Sequence, residues 1–213
     1  MTRAITAAAA FLVVVLVPGG VSAQDVEVTA NVGWVSEYLY RGIAQNTSSA
    51  SAGLDMTAGA LYLGSWAADV GEGSEVDVYG GLGLELAGIA LSAGGTGYLY
   101  TGEFDDTYVE GNLGAGYGPI TVDFALGQYL TEPETLDYTF VQVTASARGA
   151  YAAFGTFGGD FSGQFGEIGY GFAVSEVDCT VGWVFSDSEL ALLPSGKSNA
   201  TLVLGVSKTF ALN

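Results

Sequence analysis

Apolar and polar residues alternate along many short stretches of this chain, among them the long stretch from 26 to 41. Even positions of that stretch are mostly apolar or aromatic, and odd positions carry most of the polar groups. Successive side chains of a β-strand point to opposite faces, so the pattern predicts a strand with one apolar and one polar face. Its length is typical of a strand that crosses a bilayer. The aromatic residues at one end of the apolar face suggest an interfacial girdle: Trp34, Tyr38 and Tyr40.

The same alternation returns along the chain and predicts about 12 strands joined by alternating long and tight connections. The first strand is expected to end in a polar loop over 42–49, and the second strand to begin at Ala50. Long loops at one end and tight turns at the other are typical of outer-membrane barrels. We therefore expect an all-β fold, a transmembrane antiparallel up-and-down β-barrel. Because strand boundaries are uncertain from one sequence, about 10 or about 14 strands are alternatives.

The first residues have the features of a secretory signal peptide. Arg3 provides a positive charge, an apolar run follows over 4–17, and Pro18 ends it. Small residues over 21–23 then resemble a cleavage site. We therefore expect a cleaved signal peptide over 1–23 and one outer-membrane barrel domain over 24–213.

The composition excludes several classes of function. The chain has 23 acidic residues, 5 basic residues and no histidine, for a formal net charge of −18. The basic surface that nucleic acids require is therefore missing. Without histidine there is no Ser-His-Asp triad and no imidazole base, so we expect no enzymatic activity and no catalytic residues. The single cysteine makes neither an internal disulfide nor a zinc site, and we expect no metal site and no cofactor.

The alternation also predicts which polar residues face the interior of the barrel. Only one of them is basic, and a carboxylate-rich lining favours cations in a pore. The alternative is that these groups fill a closed barrel through water and hydrogen bonds. The candidate pore-lining residues are Glu37, Arg41, Asp55, Asp77, Tyr79, Glu85, Glu110, Asn112, Asp123 and Glu167.

Several segments resemble a known family, the TorF-type porins of proteobacterial outer membranes. The stretch VSEYLYRGIAQ over 35–45 resembles its opening signature, in which V-S-x-Y is followed by R-G-x-x-Q. Weaker similarity extends over 63–70, 75–81, 98–102, 110–119 and 205–210. The resemblance implies a barrel in the bacterial outer membrane and the function of a porin, and it implies no particular substrate.

We expect a porin-like channel for passive diffusion of small polar solutes or ions, with a preference for cations. Its partners would be membrane lipids, lipopolysaccharide and the outer-membrane assembly machinery. One alternative is a non-conducting structural or adhesive barrel that acts through its external loops. Another is a soluble secreted β-sandwich, which the apolar faces of nearly every strand disfavour because they would form a large exposed apolar surface.

Arg41 needs a carboxylate partner outside its own strand. Glu37 lies on the same face but roughly 13 Å away at the rise of a strand. We expect acidic residues of neighbouring strands at the external mouth to hold Arg41. Arg41→Ala should therefore change ion selectivity or heat stability, as measured by reversal potential and thermal unfolding. If neither quantity changed, this assignment would be wrong.

Overall fold

The structure is a computed structural model that describes residues 26–194 and 196–212, so the predicted signal peptide over 1–23 lies outside the described residues. Twelve antiparallel strands form a closed barrel in which each strand pairs with its sequence neighbours and the last pairs with the first. The strands are β1 Val26–Tyr40, β2 Ile43–Ala58, β3 Leu61–Asp69, β4 Ser74–Leu86, β5 Ile89–Tyr100, β6 Thr107–Tyr117, β7 Ile120–Leu130, β8 Leu136–Ala147, β9 Ala150–Gly159, β10 Gln164–Val174, β11 Val177–Ser186 and β12 Asn199–Ala211. The predicted fold class and the strand number are confirmed. Over the described ranges, no helix is long and apolar enough to cross a membrane.

The barrel has two different ends. Two-residue turns follow β2, β4, β6, β8 and β10, and the start of β1 and the end of β12 lie beside them. We call this the turn end. The opposite end, the loop end, carries the longer connections 70–73, 101–106, 131–135, 160–163 and 187–198 together with the turn between β1 and β2.

The outer face of the barrel is apolar. Large hydrophobic side chains alternate along the strands and are exposed on the outside, for example Leu113 at 55% and Tyr117 at 69% of their maximum. A closed barrel with such an exterior satisfies every strand edge internally and presents hydrocarbon outward, as a bilayer requires. The soluble sandwich is wrong because the sheet closes on itself.

The predicted loop over 42–49 is wrong. The connection between β1 and β2 is the two-residue turn Arg41-Gly42, and β2 begins at Ile43. Both turn residues have positive φ, 49° for Arg41 and 83° for Gly42, as in the tight turns that favour long β-hairpins. The polar residues over 45–49 suggested a loop, but they pair with β1 and extend the hairpin.

This hairpin leaves the barrel wall near its tip. β1 pairs with β12 only from Thr29 to Val35, whereas its pairing with β2 continues to Tyr40. On the other side, the pairing of β2 with β3 starts only at Ser51. Residues 36–50 therefore form a hairpin tip that pairs with itself, and its contacts place it inside the barrel.

The predicted aromatic end of β1 needs a correction. Trp34 is on the outer face, where its indole Nε1 donates a hydrogen bond of 3.1 Å to Ser48 Oγ. Tyr38 is buried, and Tyr40 packs against Tyr98 of β5, because both belong to the hairpin tip. Simple alternation fails here because the chain bends inward and no longer follows the wall.

A charge on the outer face should destabilise the barrel. Leu113 lies near the middle of β6, where an arginine would face hydrocarbon. We expect Leu113→Arg to lower the free energy of unfolding in lipid vesicles by about 2–4 kcal/mol. Leu192→Arg is the control, because Leu192 is 88% exposed in the longest loop, and it should have little effect. Equal effects in urea titrations would contradict a lipid-facing β6.

Candidate functional site

The hairpin tip fills the loop half of the barrel. It contacts β4 through Tyr38, β5 through Tyr40, and β6 and β8 through Arg41. Ser186 of β11 donates a hydrogen bond from its hydroxyl to the carbonyl of Gly42. Leu39 and Ile43 pack against a buried cluster from the opposite wall and the longest loop, formed by Ala125, Phe140, Phe165, Val184 and Leu190. The tip therefore bridges the lumen and does not cover it from outside.

Arg41 and Glu110 form the central contact between the hairpin tip and the wall. We call the hairpin tip in this position the plug. Both nitrogens of the guanidinium fork donate to the Glu110 carboxylate, with Nη2 2.9 Å from Oε2, and both side chains are buried. The guanidinium carbon lies 4.2 Å from the centre of the Phe140 ring and 4.8 Å from that of Tyr40. An acidic partner for Arg41 was predicted, but on a neighbouring strand. Glu110 lies on β6, across the lumen, because the hairpin tip carries Arg41 inward.

Wall residues also bind the Glu110 carboxylate. Tyr138 donates to Oε1 at 2.8 Å, and Tyr98 donates to Oε2 at 3.0 Å. The Asn112 side-chain amide donates to Oε2 at 2.9 Å and accepts a bond of 2.8 Å from the hydroxyl of Thr96. Charge-assisted hydrogen bonds of this kind offset the cost of burying a carboxylate.

Tyrosine hydroxyls bind most of the other interior carboxylates. Tyr38 donates to Glu75 at 2.7 Å, and Tyr151 donates to Glu167 at 2.6 Å. Tyr79 donates to Asp55, which also accepts from the Asn31 amide at 3.2 Å. Burying an acid requires partners for its oxygens, and these tyrosines provide neutral ones where basic residues are absent.

Glycines make room for these tyrosines. Tyr79, Tyr138 and Tyr151 lie directly across the sheet from a glycine on the next strand, in the pairs Gly64–Tyr79, Gly127–Tyr138 and Gly169–Tyr151. A Cβ at any of the three glycines would overlap the tyrosine ring. The ring therefore lies flat over the glycine, which brings the hydroxyl to the carboxylate. This close packing accounts for part of the high glycine content.

Two interior acids keep oxygen atoms without a hydrogen-bond partner. Glu75 is 0% exposed, and its Oε2 is unpartnered although Oε1 accepts from Tyr38. Asp77, two residues along the same face of β4, has an unpartnered Oδ1. Within the described ranges, no group of three or more acidic or cysteine side chains is arranged to hold a metal ion.

Aromatic residues close the loop end above the plug. Tyr108 stacks on Tyr129 with ring centres 4.3 Å apart, and both hydroxyls donate to Asp105, at 2.9 and 2.7 Å. Phe161 from the connection between β9 and β10 stacks on Tyr138 at 4.8 Å. These rings and the hairpin tip together close the loop half of the lumen.

The turn half of the lumen is more open. Along the inward face of β7, exposure decreases from Thr121 at the turn end through Asp123 to the buried Ala125. The same gradient runs along β8 from the exposed Ser146 to Phe140, which is 1% exposed. The solvent accessibility of the inward faces therefore falls from the turn end towards the hairpin tip.

The ten candidate residues have different positions. Seven lie on inward faces of the wall, and Arg41 reaches the interior from the hairpin turn. Glu37 is on the hairpin tip, where it accepts a bond of 3.2 Å from Thr47, and Glu85 is exposed at the turn end. The seven wall residues are Asp55, Asp77, Tyr79, Glu110, Asn112, Asp123 and Glu167. Whether any of them lines a conducting path stays a prediction.

Sequence reasoning missed the wall residues that receive the plug. Glu75 alternates in register with Asp77 and was an obvious inward candidate. Phe140 and Phe165 lie on the same faces as Gln142 and Glu167. A large apolar residue on a polar face is a signal for a partner inside the barrel. Nothing in the residue pattern indicates that this partner is the turn between β1 and β2.

Solved structures with a similar fold include membrane proteins. A structure from work on the in-meso crystallization of membrane proteins has a TM-score of 0.59 at 9% identity, covering 87% of this chain and 84% of that one. Pseudomonas aeruginosa OccK2 (OpdF) in complex with glucuronate has a TM-score of 0.43 at 13% identity, with coverages of 92% and 68%. Acinetobacter baumannii OccAB2 has a TM-score of 0.43 at 12% identity, with coverages of 91% and 66%. At these identities the similarity concerns the fold alone.

Among curated proteins, no sequence matches this chain. A family profile described as a bacterial protein of unknown function (Gcw_chp) matches residues 20–143, more than half of the chain. That description includes neither the TorF name nor a substrate, so the resemblance to TorF-type porins stays a prediction. The matched region contains the whole hairpin tip and two residues that Arg41 contacts, Glu110 and Phe140. The chain belongs to the Gcw_chp family of bacterial proteins of unknown function.

Proposed function

We propose that this protein is a porin-like channel of the bacterial outer membrane, which passes small polar solutes or ions by diffusion and prefers cations. The loop end would face the outside and the turn end the periplasm, as in other outer-membrane barrels. Membrane lipids and lipopolysaccharide would surround the apolar exterior, and the outer-membrane assembly machinery would insert the barrel.

The excess of acidic groups in the interior is the observation that carries this proposal. Asp55, Asp77, Asp123 and Glu167 face the lumen, and within the part of the chain that the structure describes none of them forms an ion pair with a basic side chain. Arg41 is the basic side chain whose contacts lie inside the barrel, and the Glu110 carboxylate neutralises its charge. The remaining carboxylates attract cations and repel anions, especially where the surrounding wall has a low dielectric constant.

Passage through the barrel requires the hairpin tip to move. It fills the loop half of the lumen, so the described conformation corresponds to a closed channel. The tip pairs with neither β12 nor β3 beyond Val35 and Ser51. Side-chain hydrogen bonds still join it to both strands, from Ser49 to the Asp69 carbonyl and from Leu204 N to Ser36 Oγ. Its other contacts cross the lumen, and weakening those contacts should open the path.

A second candidate is a non-conducting barrel that acts through its external loops. The packing of the loop half favours it, because Phe140, Phe165 and Tyr38 are buried as deeply as the core of a soluble protein. In that case the hairpin tip would be a permanent internal support. The two candidates differ in whether the barrel ever conducts.

Ion currents test the cation preference. The refolded protein in a planar bilayer with a salt gradient should show discrete current steps, brief in the wild type because the plug must move. The reversal potential should lie on the side of the cation's equilibrium potential, because the interior is acidic. Anion-directed reversal would contradict the assigned lining, and a refolded barrel that never conducts would favour the second candidate.

A glycine pair tests the plug directly. Gly42 and Gly88 both lie in turns with positive φ, 83° and 78°, so alanine strains the backbone similarly at both positions. A Cβ at Gly42 would lie 2.7 Å from the Phe165 Cβ, whereas one at Gly88 would have nothing within 4 Å. Gly42→Ala should therefore displace the tip and raise the open probability severalfold. Gly88→Ala should behave like the wild type, and equal open probabilities for the two variants would contradict a removable plug.

A further inference from the structure

The wall side of the Arg41–Glu110 contact has the form of a binding site. Three of the groups that hold the Glu110 carboxylate belong to the wall: Tyr98 on β5, Asn112 on β6 and Tyr138 on β8. None of them belongs to the hairpin tip. The carboxylate therefore keeps these partners and its orientation when the tip withdraws.

Arg41 occupies this site in the way that a ligand would. Its guanidinium makes two hydrogen bonds to the carboxylate, and its Cζ atom lies over the Phe140 ring, 4.2 Å from the ring centre. A carboxylate in line with the guanidinium plane and an aromatic ring over it are the two contacts that suit this planar cation.

We propose that Glu110, Tyr98, Tyr138 and Phe140 form a receptor for a guanidinium group, which the chain's own Arg41 occupies in the closed state. A solute that carries a guanidinium group takes the place of Arg41 when the hairpin tip withdraws. The solute's route through the barrel rests on the function proposed above, whereas its binding to the site does not.

The geometry distinguishes guanidinium from ammonium. An ammonium group is a compact point charge that cannot make two parallel hydrogen bonds and stack on a ring at once. Both Glu110 oxygens already accept hydrogen bonds from the wall, so a ligand must approach along the remaining direction, the one that Arg41 takes. Monovalent metal ions and simple amines should therefore bind more weakly than a guanidinium compound.

Binding to the emptied site tests the proposal. The probe is agmatine, a guanidinium compound with an aliphatic amine, and putrescine is the matched diamine without the guanidinium group. Calorimetry of the refolded Arg41→Ala protein in detergent should show that agmatine binds with an affinity at least about tenfold higher than that of putrescine. The reason is that putrescine lacks the guanidinium group and cannot make the two charged hydrogen bonds to Glu110. The double variant Arg41→Ala with Glu110→Gln should lose that preference. The wild type should bind agmatine at least about tenfold more weakly than Arg41→Ala, because Arg41 competes.

Equal affinities of agmatine and putrescine for Arg41→Ala, or an unchanged preference in the double variant, would overturn the proposal. Arg41→Ala leaves a buried carboxylate unpaired, which impairs folding. If the variant folds poorly, the refolded fraction becomes the readout: millimolar agmatine should restore it and putrescine should not, and equal restoration would overturn the proposal. Agmatine binding without ion currents would refute only the channel, and currents without agmatine binding would refute only the receptor.

Discussion

The contact between Arg41 and Glu110 across the lumen anchors the hairpin tip inside the barrel. A buried charge is tolerated only with a partner, and removing one partner of such a pair typically costs about 3–5 kcal/mol. Beyond Val35 and Ser51 the hairpin tip leaves the backbone ladders of β12 and β3, although side-chain hydrogen bonds to both strands remain. The ion pair and its aromatic surroundings hold the tip on the far side of the lumen. In the proposed channel, the interaction that stabilises the fold also closes the path through it.

A second constraint comes from the lack of basic residues in the interior. The wall carries several carboxylates and compensates with hydroxyl donors from Tyr79, Tyr138 and Tyr151. Each of these rings lies over a glycine of the adjacent strand, which joins an electrostatic requirement to a packing requirement. Tyrosine donors are neutral and add no positive charge to the interior, whereas basic partners would have done so. The proposed preference for cations rests on this absence of added positive charge.

The two halves of the lumen differ in how far ions could enter them from the turn end. In the proposed channel, the turn half would give cations access to the wall carboxylates, whereas the packed loop half would stop them at the hairpin tip. Membership of a family of unknown function leaves both a gated channel and a permanently closed barrel compatible with the fold. The two differ in whether the hairpin tip moves out of the lumen.

The alternation of residues determined the strand number, the closed barrel and the inward position of most candidate acids, because the two faces of a membrane strand meet different environments. It failed over the hairpin tip and placed Tyr38 and Tyr40 outside and residues 42–49 in a loop. Alternation records only which face a residue occupies along a wall. That β1 and β2 leave the wall, and that Arg41 meets Glu110 on the far side, depend on contacts between distant strands. Only the tertiary structure decided them.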